Sequence, residues 1–251
     1  MSIVKMNNPN KLYERYHSNS SRQIKIIAKN NFTYINILPI LNSCLNKNVK
    51  RILDIGCGSG TISLHLASKG YNVKGIDISK KAIKACKESA KSIGLKNVEF
   101  EVSTFPDNIP KGKYDLVFFS EVIEHLPDDE LALKKIHKLL NPGGVLFLST
   151  PSKNAPLYRL GLAKKFDKEV GHLRRYTVDE LKNKLKKNKF TIKKIYMKES
   201  VLRNFLFLNP VAGKFIRFIK FFLVQVVTGI DDSLVKISGE SQIIIVSKKK
   251  S

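Results

Sequence analysis

The chain has little cysteine and nowhere pairs it. Cys44, Cys57 and Cys86 are the only three in 251 residues, and none belongs to a C-x-x-C. Neither a disulfide framework nor a thiolate zinc site is indicated, and a reducing, intracellular setting fits. The start, MSIVKMNNPNKLYERYHS, contains no apolar h-region, so no signal peptide is expected and the chain is expected to be cytoplasmic. A charge-free apolar run of about 20 residues is also missing, which argues against a spanning helix. No internal repeat is visible. Acidic residues are scarce: 21 Asp and Glu against 45 Lys and Arg leave a formal net charge of +24. That surplus favours anionic partners such as nucleic acid, an acidic membrane surface or a phosphorylated substrate. It is mostly lysine spread from end to end among Asn and Ile, which a compositional bias toward A/T-rich codons also produces.

What is present is enough for one good-sized core, since 43% of the residues are hydrophobic. From residue 50 onward, RILDI, NVKGID, NVEFEV, YDLVFF and GGVLFLS are nearly continuous apolar runs bounded by turn residues, which predicts buried strands. Between them TISLHLASKG, SKKAIKACKESAKSIG and DDELALKKIHKLLNPGG carry helical spacing, two of them ending in Gly or Asn-Pro-Gly-Gly. The alternation predicts an α/β, doubly wound parallel sheet. Residues 11–47 read as helical with a break near Pro39, a segment able to pack as a lid. After the core come a helix capped by Thr177 with Glu180 three residues on, a strand FTIKKIYMKE and a final strand SQIIIVSKKK. Residues 201–238 form an apolar insertion between those strands.

The first strand runs into DIGCGSGTIS. Gly56, Gly58 and Gly60 allow a tight turn and close approach of a ligand, while the next helix presents its N-terminus. Asp77, about 20 residues on at the end of the second strand, suits ribose hydroxyls. Asp54 would repel a pyrophosphate and suits an ammonium group instead, which points away from NAD and toward S-adenosylmethionine. After the fourth strand, SEVIEHLPD places Glu121, Glu124 and His125 within five positions. Ligands of open α/β sheets bind at the carboxyl ends of the strands, so these groups face the reacting centre. An acid or imidazole there can act as a general base; the E-x-x-E-H spacing also suits gathering two carboxylates and a nitrogen around a divalent ion.

ILDIGCGSGTIS, GIDIS, YDLVFFSEVIEHL and LLNPGGVLFLSTPS together resemble the ordered motif set of class I S-adenosylmethionine-dependent methyltransferases, over roughly residues 48–200. The resemblance implies a Rossmann-like, seven-stranded sheet with the last strand antiparallel, N-terminal helices (1–48) and a methyltransferase domain (49–251). It implies cofactor contacts from Asp54, Gly56, Cys57, Gly58, Gly60, Asp77, Ile78 and Ser120. Many members carry an Asp after the third strand; here Ser103 and Thr104 stand in that region. The E-x-x-E-H spacing is similar to two metal-using branches, the ubiquinone-biosynthesis O-methyltransferases and the small-RNA terminal 2′-O-methyltransferases. Carried over, Glu121, Glu124 and His125 would hold Mg²⁺ or another divalent cation, and His172 in GHLRRYT would be a further ligand. Family members without an implied metal share the EHL element, where the His packs or meets substrate. The small-RNA branch follows its second His with an aromatic-rich stretch that GHLRRYT does not match.

Glu121, His125 and His172 are thus the candidate catalytic groups. Arg174, Arg175 and Tyr176 are candidates for holding an anionic or sugar-bearing acceptor, with a packing role for Tyr176 and a capping role for Thr177 as the alternative. Within the insertion, Lys214, Arg217 and Lys220 fall on one side of a helix whose remainder carries Phe215, Phe218, Ile219, Phe222 and Leu223. That pattern predicts either an interfacial membrane helix or a lid or dimer contact. The expected activity is O-methylation of a small lipophilic acceptor, with peripheral contact to an anionic membrane. Methylation of RNA and a non-catalytic lipid-associated module are the alternatives.

Overall fold

The computed structural model describes residues 9–16, 22–28, 31–209 and 221–250. The apolar runs become β1 (Arg51–Ile55), β2 (Asn72–Asp77), β3 (Val98–Val102), β4 (Tyr114–Ser120) and β5 (Leu140–Pro151), all parallel to one another. Their apolar continuity has a direct cause: the sheet is covered on both faces. Leu53, Val117 and Leu146 pack on one side, against Leu133 and Ile136 of α5 (Asp129–Leu139) and Leu181 of α8 (Val178–Lys187). Ile52, Leu116 and Phe147 pack on the other, against α2 (Ile37–Cys44) and α3 (Thr61–Ser68). Beside α3, α4 (Lys80–Ile93) buries Ile83 and Cys86 against Leu64 and Phe100.

Two further strands close the sheet. β6 (Phe190–Lys198) and β7 (Gln242–Lys249) pair antiparallel, and β7 also pairs antiparallel with β5. The order β3-β2-β1-β4-β5-β7-β6 makes a seven-stranded sheet in which only β7 is reversed. Strand order changes direction between β1 and β4, so a crevice opens at their carboxyl ends. Local signals fix the helix ends around it. Ser79 accepts from the Ala82 N–H and Gly94 closes α4 in the left-handed region. Asp128 caps α5, and Thr177 and Glu180 form a reciprocal capping box at α8.

The N-terminal segment differs from its sequence reading. Only α1 (Pro9–Tyr16) and α2 are helical among its described residues. The interruption falls ahead of α2; Pro39 sits in the first turn of that helix, where its missing N–H costs nothing. Segment 22–28 lies against the glycine loop, with the Gln23 amide donating to Ser59 O at 3.1 Å and Thr61 Oγ1 at 2.8 Å. Between β5 and α8 stand α6 (Pro156–Arg159) and α7 (Lys164–Val170). The insertion contributes α9 (Val201–Leu208) and α10 (Phe221–Ser238). The basic amphipathic stretch through Lys214, Arg217 and Lys220 lies outside the described residues. No helix among them is long and apolar enough to cross a membrane.

Candidate active site

The glycine loop is built at the tip of β1. Gly56 and Cys57 donate to the Ile76 carbonyl at 2.8 and 3.0 Å, which ties the loop to β2. Gly56 has φ +73°, and a Cβ there would lie 2.4 Å from Val122 Cγ2, so the position admits only glycine without rearrangement. Gly60, at φ +79°, starts α3; a Cβ would meet Cys86 Sγ at 2.9 Å. Asp77 spends both oxygens on backbone: it accepts from Gly58 N at 2.8 Å and Ser79 N at 2.9 Å. Asp54 is buried beneath the loop and accepts from the Ser63 hydroxyl at 2.6 Å. Burial pushes its carboxyl up to about 7, against the pull of Ser63.

The other cofactor candidates line the same rim. Ile78 is half-buried directly after Asp77, and Cys57 is half-buried in the loop. Ser103 and Thr104 follow β3, but their hydroxyls are engaged with Asn108: Ser103 donates to its carbonyl at 2.8 Å and Thr104 accepts from its amide at 2.7 Å. Ser120 ends β4 with its hydroxyl 2.7 Å from that of Ser149.

SEVIEH makes the sharpest turn in this region. Glu121 has φ +55°, a left-handed conformation that non-glycine residues rarely adopt. The chain leaves β4 there and winds through a 3₁₀ turn at Ile123–His125. Glu124 points inward and is fully buried. Its Oε2 accepts from Thr150 at 3.0 Å, whereas Oε1 has no partner among the described residues. His125 Nε2 and His172 Nε2 each lie 3.9 Å from that oxygen. The two imidazoles are 4.9 Å apart between ring centroids. Each ring is held from behind by its other nitrogen, His125 Nδ1 on Gly171 O at 3.1 Å and His172 Nδ1 on Asp167 at 2.8 Å. Asp167 is in turn gripped by Arg175 through bonds of 2.9 and 2.6 Å. The edge of Tyr13 in α1 packs on His125.

The electrostatics follow from this burial. Desolvation and the neighbouring Glu121 charge hold the Glu124 carboxyl well above the usual carboxylate range. Burial, with the neighbouring His172 ring, pushes His125 down to about 4, so its ring is neutral at physiological pH. A carboxylate oxygen and two imidazole nitrogens therefore converge, their ligand atoms all within 4.8 Å of one another.

Of the residues expected to hold a cation, Glu124, His125 and His172 are brought together. Glu121 lies outside this group, its Oε1 accepting from Ser149 at 2.7 Å and Gln242 at 3.0 Å. Arg174, Arg175 and Tyr176 are not free to hold an acceptor: Arg174 pairs with Asp129, Arg175 is committed to Asp167, and Tyr176 is buried with its hydroxyl on Asp129. Thr177 caps α8 as the alternative reading had it. Sequence reasoning missed Asp167, Gly171 and Thr150, which orient the trio. The signal for one of them was the Gly-His step itself, since the glycine (φ +83°) ends α7 and lets the chain present its carbonyl to His125.

A seven-stranded sheet with its last strand reversed, carrying a glycine loop and a strand-end acid at the point where strand order changes direction, defines the class I S-adenosylmethionine-dependent methyltransferase fold. A family model described as "Methyltransferase domain" matches residues 46–209, and the chain belongs to that family. Among relatives, the ubiquinone biosynthesis O-methyltransferase of Thiobacillus denitrificans is 36% identical over 115 residues, 45% of this chain and 49% of that one. That of Pelagibacter ubique is 38% identical over 112 residues, 45% of this chain and 46% of its own. The chain spans about half the length of the curated relatives it matches. Among solved structures, a SAM-dependent methyltransferase from Methanosarcina mazei is 25% identical with TM-score 0.58, covering 84% of this chain and 97% of that one. Phosphoethanolamine N-methyltransferase 2 of Haemonchus contortus, in complex with S-adenosyl-L-methionine, gives TM-score 0.65 at 18% identity over 87% of this chain and 53% of its own, a likeness of fold.

Proposed function

We propose that the chain methylates a hydroxyl oxygen of a small lipophilic acceptor, a quinol, phenol or glycolipid, using S-adenosylmethionine and a divalent cation. The observation that carries this reading is the fully buried Glu124 Oε1, without a partner among the described residues and 3.9 Å from two imidazole nitrogens. An orphaned buried carboxylate oxygen is costly unless something charged meets it. The relatives named ubiquinone biosynthesis O-methyltransferase support oxygen as the acceptor atom and a greasy substrate.

Both groups fit the residues present. Gly56 and Gly60 keep the loop packed close on Val122 and Cys86 at the mouth of the crevice, and Asp77 braces it by accepting from Gly58 N. S-adenosylmethionine, when bound, supplies a methyl group already activated on a sulfonium. Glu124, His125 and His172 would hold the cation, which when bound lowers the pKa of a coordinated hydroxyl. Two imidazoles and one carboxylate suit manganese, iron or zinc better than magnesium, which prefers an all-oxygen shell. The chain's own work is then positioning and proton management. His125 stays neutral and offers Nε2, its Nδ1 proton spent on Gly171 O. Asp167 fixes the His172 ring in the same sense. Glu121 at the rim, braced by Ser149 and Gln242, is placed to receive the acceptor's proton.

A second reading, methylation of RNA, draws on the +24 charge and on the joining of His172 to the trio. Transfer of labelled methyl into a total lipid extract and into small RNA, each with manganese and with chelator, tests both. Organic-soluble label that disappears with chelator is the expected result. Label in RNA alone would overturn the lipophilic acceptor, and label in neither with cofactor still bound would leave a binding module. Independently, metal content of the purified, manganese-soaked protein should fall about tenfold or more in His172→Ala; an unchanged content would sink the trio as a metal site.

A further inference from the structure

The two insertion helices bury polar side chains and leave apolar ones bare. A helix on a globular protein turns its apolar stripe to the core and its polar face to water. In α9 the buried side chains among the described residues are Arg203 and Asn204, while Phe205 is 49% exposed. In α10 the buried residues are Val224, Thr228 and Asp231 among those described, while Val226, Ile230 and Ile237 share one outward face at spacings of four and seven, with Ile230 53% and Ile237 83% exposed. The inward polar groups are well used. Asp231 accepts from the N–H groups of Ser200, Leu202 and Arg203 at 2.7, 3.0 and 3.1 Å, capping α9 from its neighbour. The Arg203 guanidinium donates to Glu199 and to Phe32 O, both at 2.8 Å, and lies over the Phe32 ring. Polar bonding thus helps hold the pair to the body, and Phe205, Val226, Ile230 and Ile237 remain outward.

The outward surface continues into the next element. α6 packs on α9, and the Arg159 guanidinium at its end donates to the Ser238 carbonyl at the end of α10 at 2.6 Å. Directly after Arg159 come Leu160 and Leu162, 70% and 66% exposed. Bare apolar area collected in one corner marks an interaction surface. Charge selects its occupant. Exposed Lys164, Lys165 and Lys168 follow these leucines, and Lys236 stands beside Ile237. A second copy of a chain carrying +24 would be repelled at close range, whereas an anionic bilayer would be attracted. We infer that the outward faces of α9 and α10, with the α6–α7 turn, dock the protein on an anionic lipid bilayer by lying in its interface. This rests on the lipophilic-acceptor reading for its purpose and extends it: Gln242, just past α10, bonds Glu121 at the site rim, so the docked corner adjoins the site mouth.

Sedimentation with vesicles tests the docking without any substrate. Wild-type protein should pellet with vesicles containing about one third phosphatidylglycerol and not with phosphatidylcholine alone. Ile230→Glu combined with Ile237→Glu should weaken that binding about tenfold or more, with S-adenosylmethionine affinity and transfer to a water-soluble catechol unchanged. Those two readouts establish that the variant is folded. They also report the proposed activity separately, so loss of transfer with intact vesicle binding would fault the function alone. Equal pelleting of variant and wild type would overturn the docking face, as would absence of pelleting. A concentration-dependent dimer abolished by the same double variant, with no vesicle binding, would assign the surface to a second copy instead.

Discussion

At the scale of single residues, Glu124 carries the opposition between stability and chemistry. Its carboxyl is buried and held well above the usual carboxylate range by desolvation and by Glu121. A carboxyl whose folded pKa is raised costs stability once pH exceeds its unfolded value of about 4. Glu124→Gln removes that cost and keeps the shape, so at pH 7 the variant should melt at the same temperature as wild type or above it. Methyl transfer should nevertheless fall by about 10²-fold or more. A variant that melts lower and keeps its activity would make Glu124 a structural group. Gly56 is the converse case. Its φ of +73° and the 2.4 Å approach to Val122 impose two separate penalties on any side chain. Gly56→Ala should lose about 1–2 kcal/mol in urea unfolding from backbone strain, and more from the clash. Adding Val122→Ala should recover only the second part, which is how the two penalties are told apart.

At the scale of elements, the trio depends on a connection rather than on a motif. His125 comes from the 3₁₀ turn after β4, and His172 arrives 47 positions later, just past α7. The link is made by the Gly171 carbonyl on one ring and Asp167 on the other. Asp167→Asn keeps the side chain's shape but removes the charge that Arg175 and His172 share, so it acts through positioning. Transfer should drop about tenfold or more while S-adenosylmethionine affinity holds, and manganese affinity should fall with it. Equal loss of cofactor binding would instead indicate a general collapse of α7. The same contrast explains what could be read from the sequence. β1, β2, β4 and β5 were legible because strands buried on both faces must be continuously apolar, and the glycine loop because Gly56 admits nothing larger. α7 was not: KKFDKEV buries no residue and has no apolar stripe to reveal it, so Asp167 looked like surface. Where Glu121 sits relative to Glu124 was not legible, because spacing alone does not disclose a left-handed backbone at φ +55°. Pro39 suggested a break, since its tolerance in a first turn depends on where the helix begins. The basic amphipathic stretch of the insertion lies outside the described residues, and the inward turn of Arg203 and Asp231 was not legible because it depends on partners far away in sequence.

At the scale of the molecule, net charge and buried titratable groups act on stability in different pH windows. Asp115, Asp129 and Asp167 all feel a burial penalty, yet hydrogen bonds and cations hold each below the usual carboxylate range: Asp115 through the Arg51 and Lys50 N–H groups, Asp129 through Lys184 and Tyr176, Asp167 through His172 and Arg175. A depressed carboxyl contributes stability that is complete above its unfolded pKa of about 4 and lost as pH falls through the folded one. Desolvation pushes His65, His125 and His137 down, so these contribute stability that grows as pH rises toward about 6.5. Asp54, Glu124 and Glu199 oppose them: raised by burial, Asp54 to about 7, they make folding less favourable as pH climbs above about 4. The two sets cancel in the middle and reinforce nothing above it. The melting temperature should therefore be nearly flat between about pH 5 and 6.5 and fall steeply below about pH 4, where protonation also adds to a charge of +24. Asp129→Asn should flatten that acid limb, because its contribution is already gone, while lowering the plateau by about 1–3 kcal/mol. Added salt should raise the melting temperature across the whole range by screening the excess of lysine. A steep rise in stability from pH 5 to 7, or an acid limb unmoved by Asp129→Asn, would contradict this assignment of the groups.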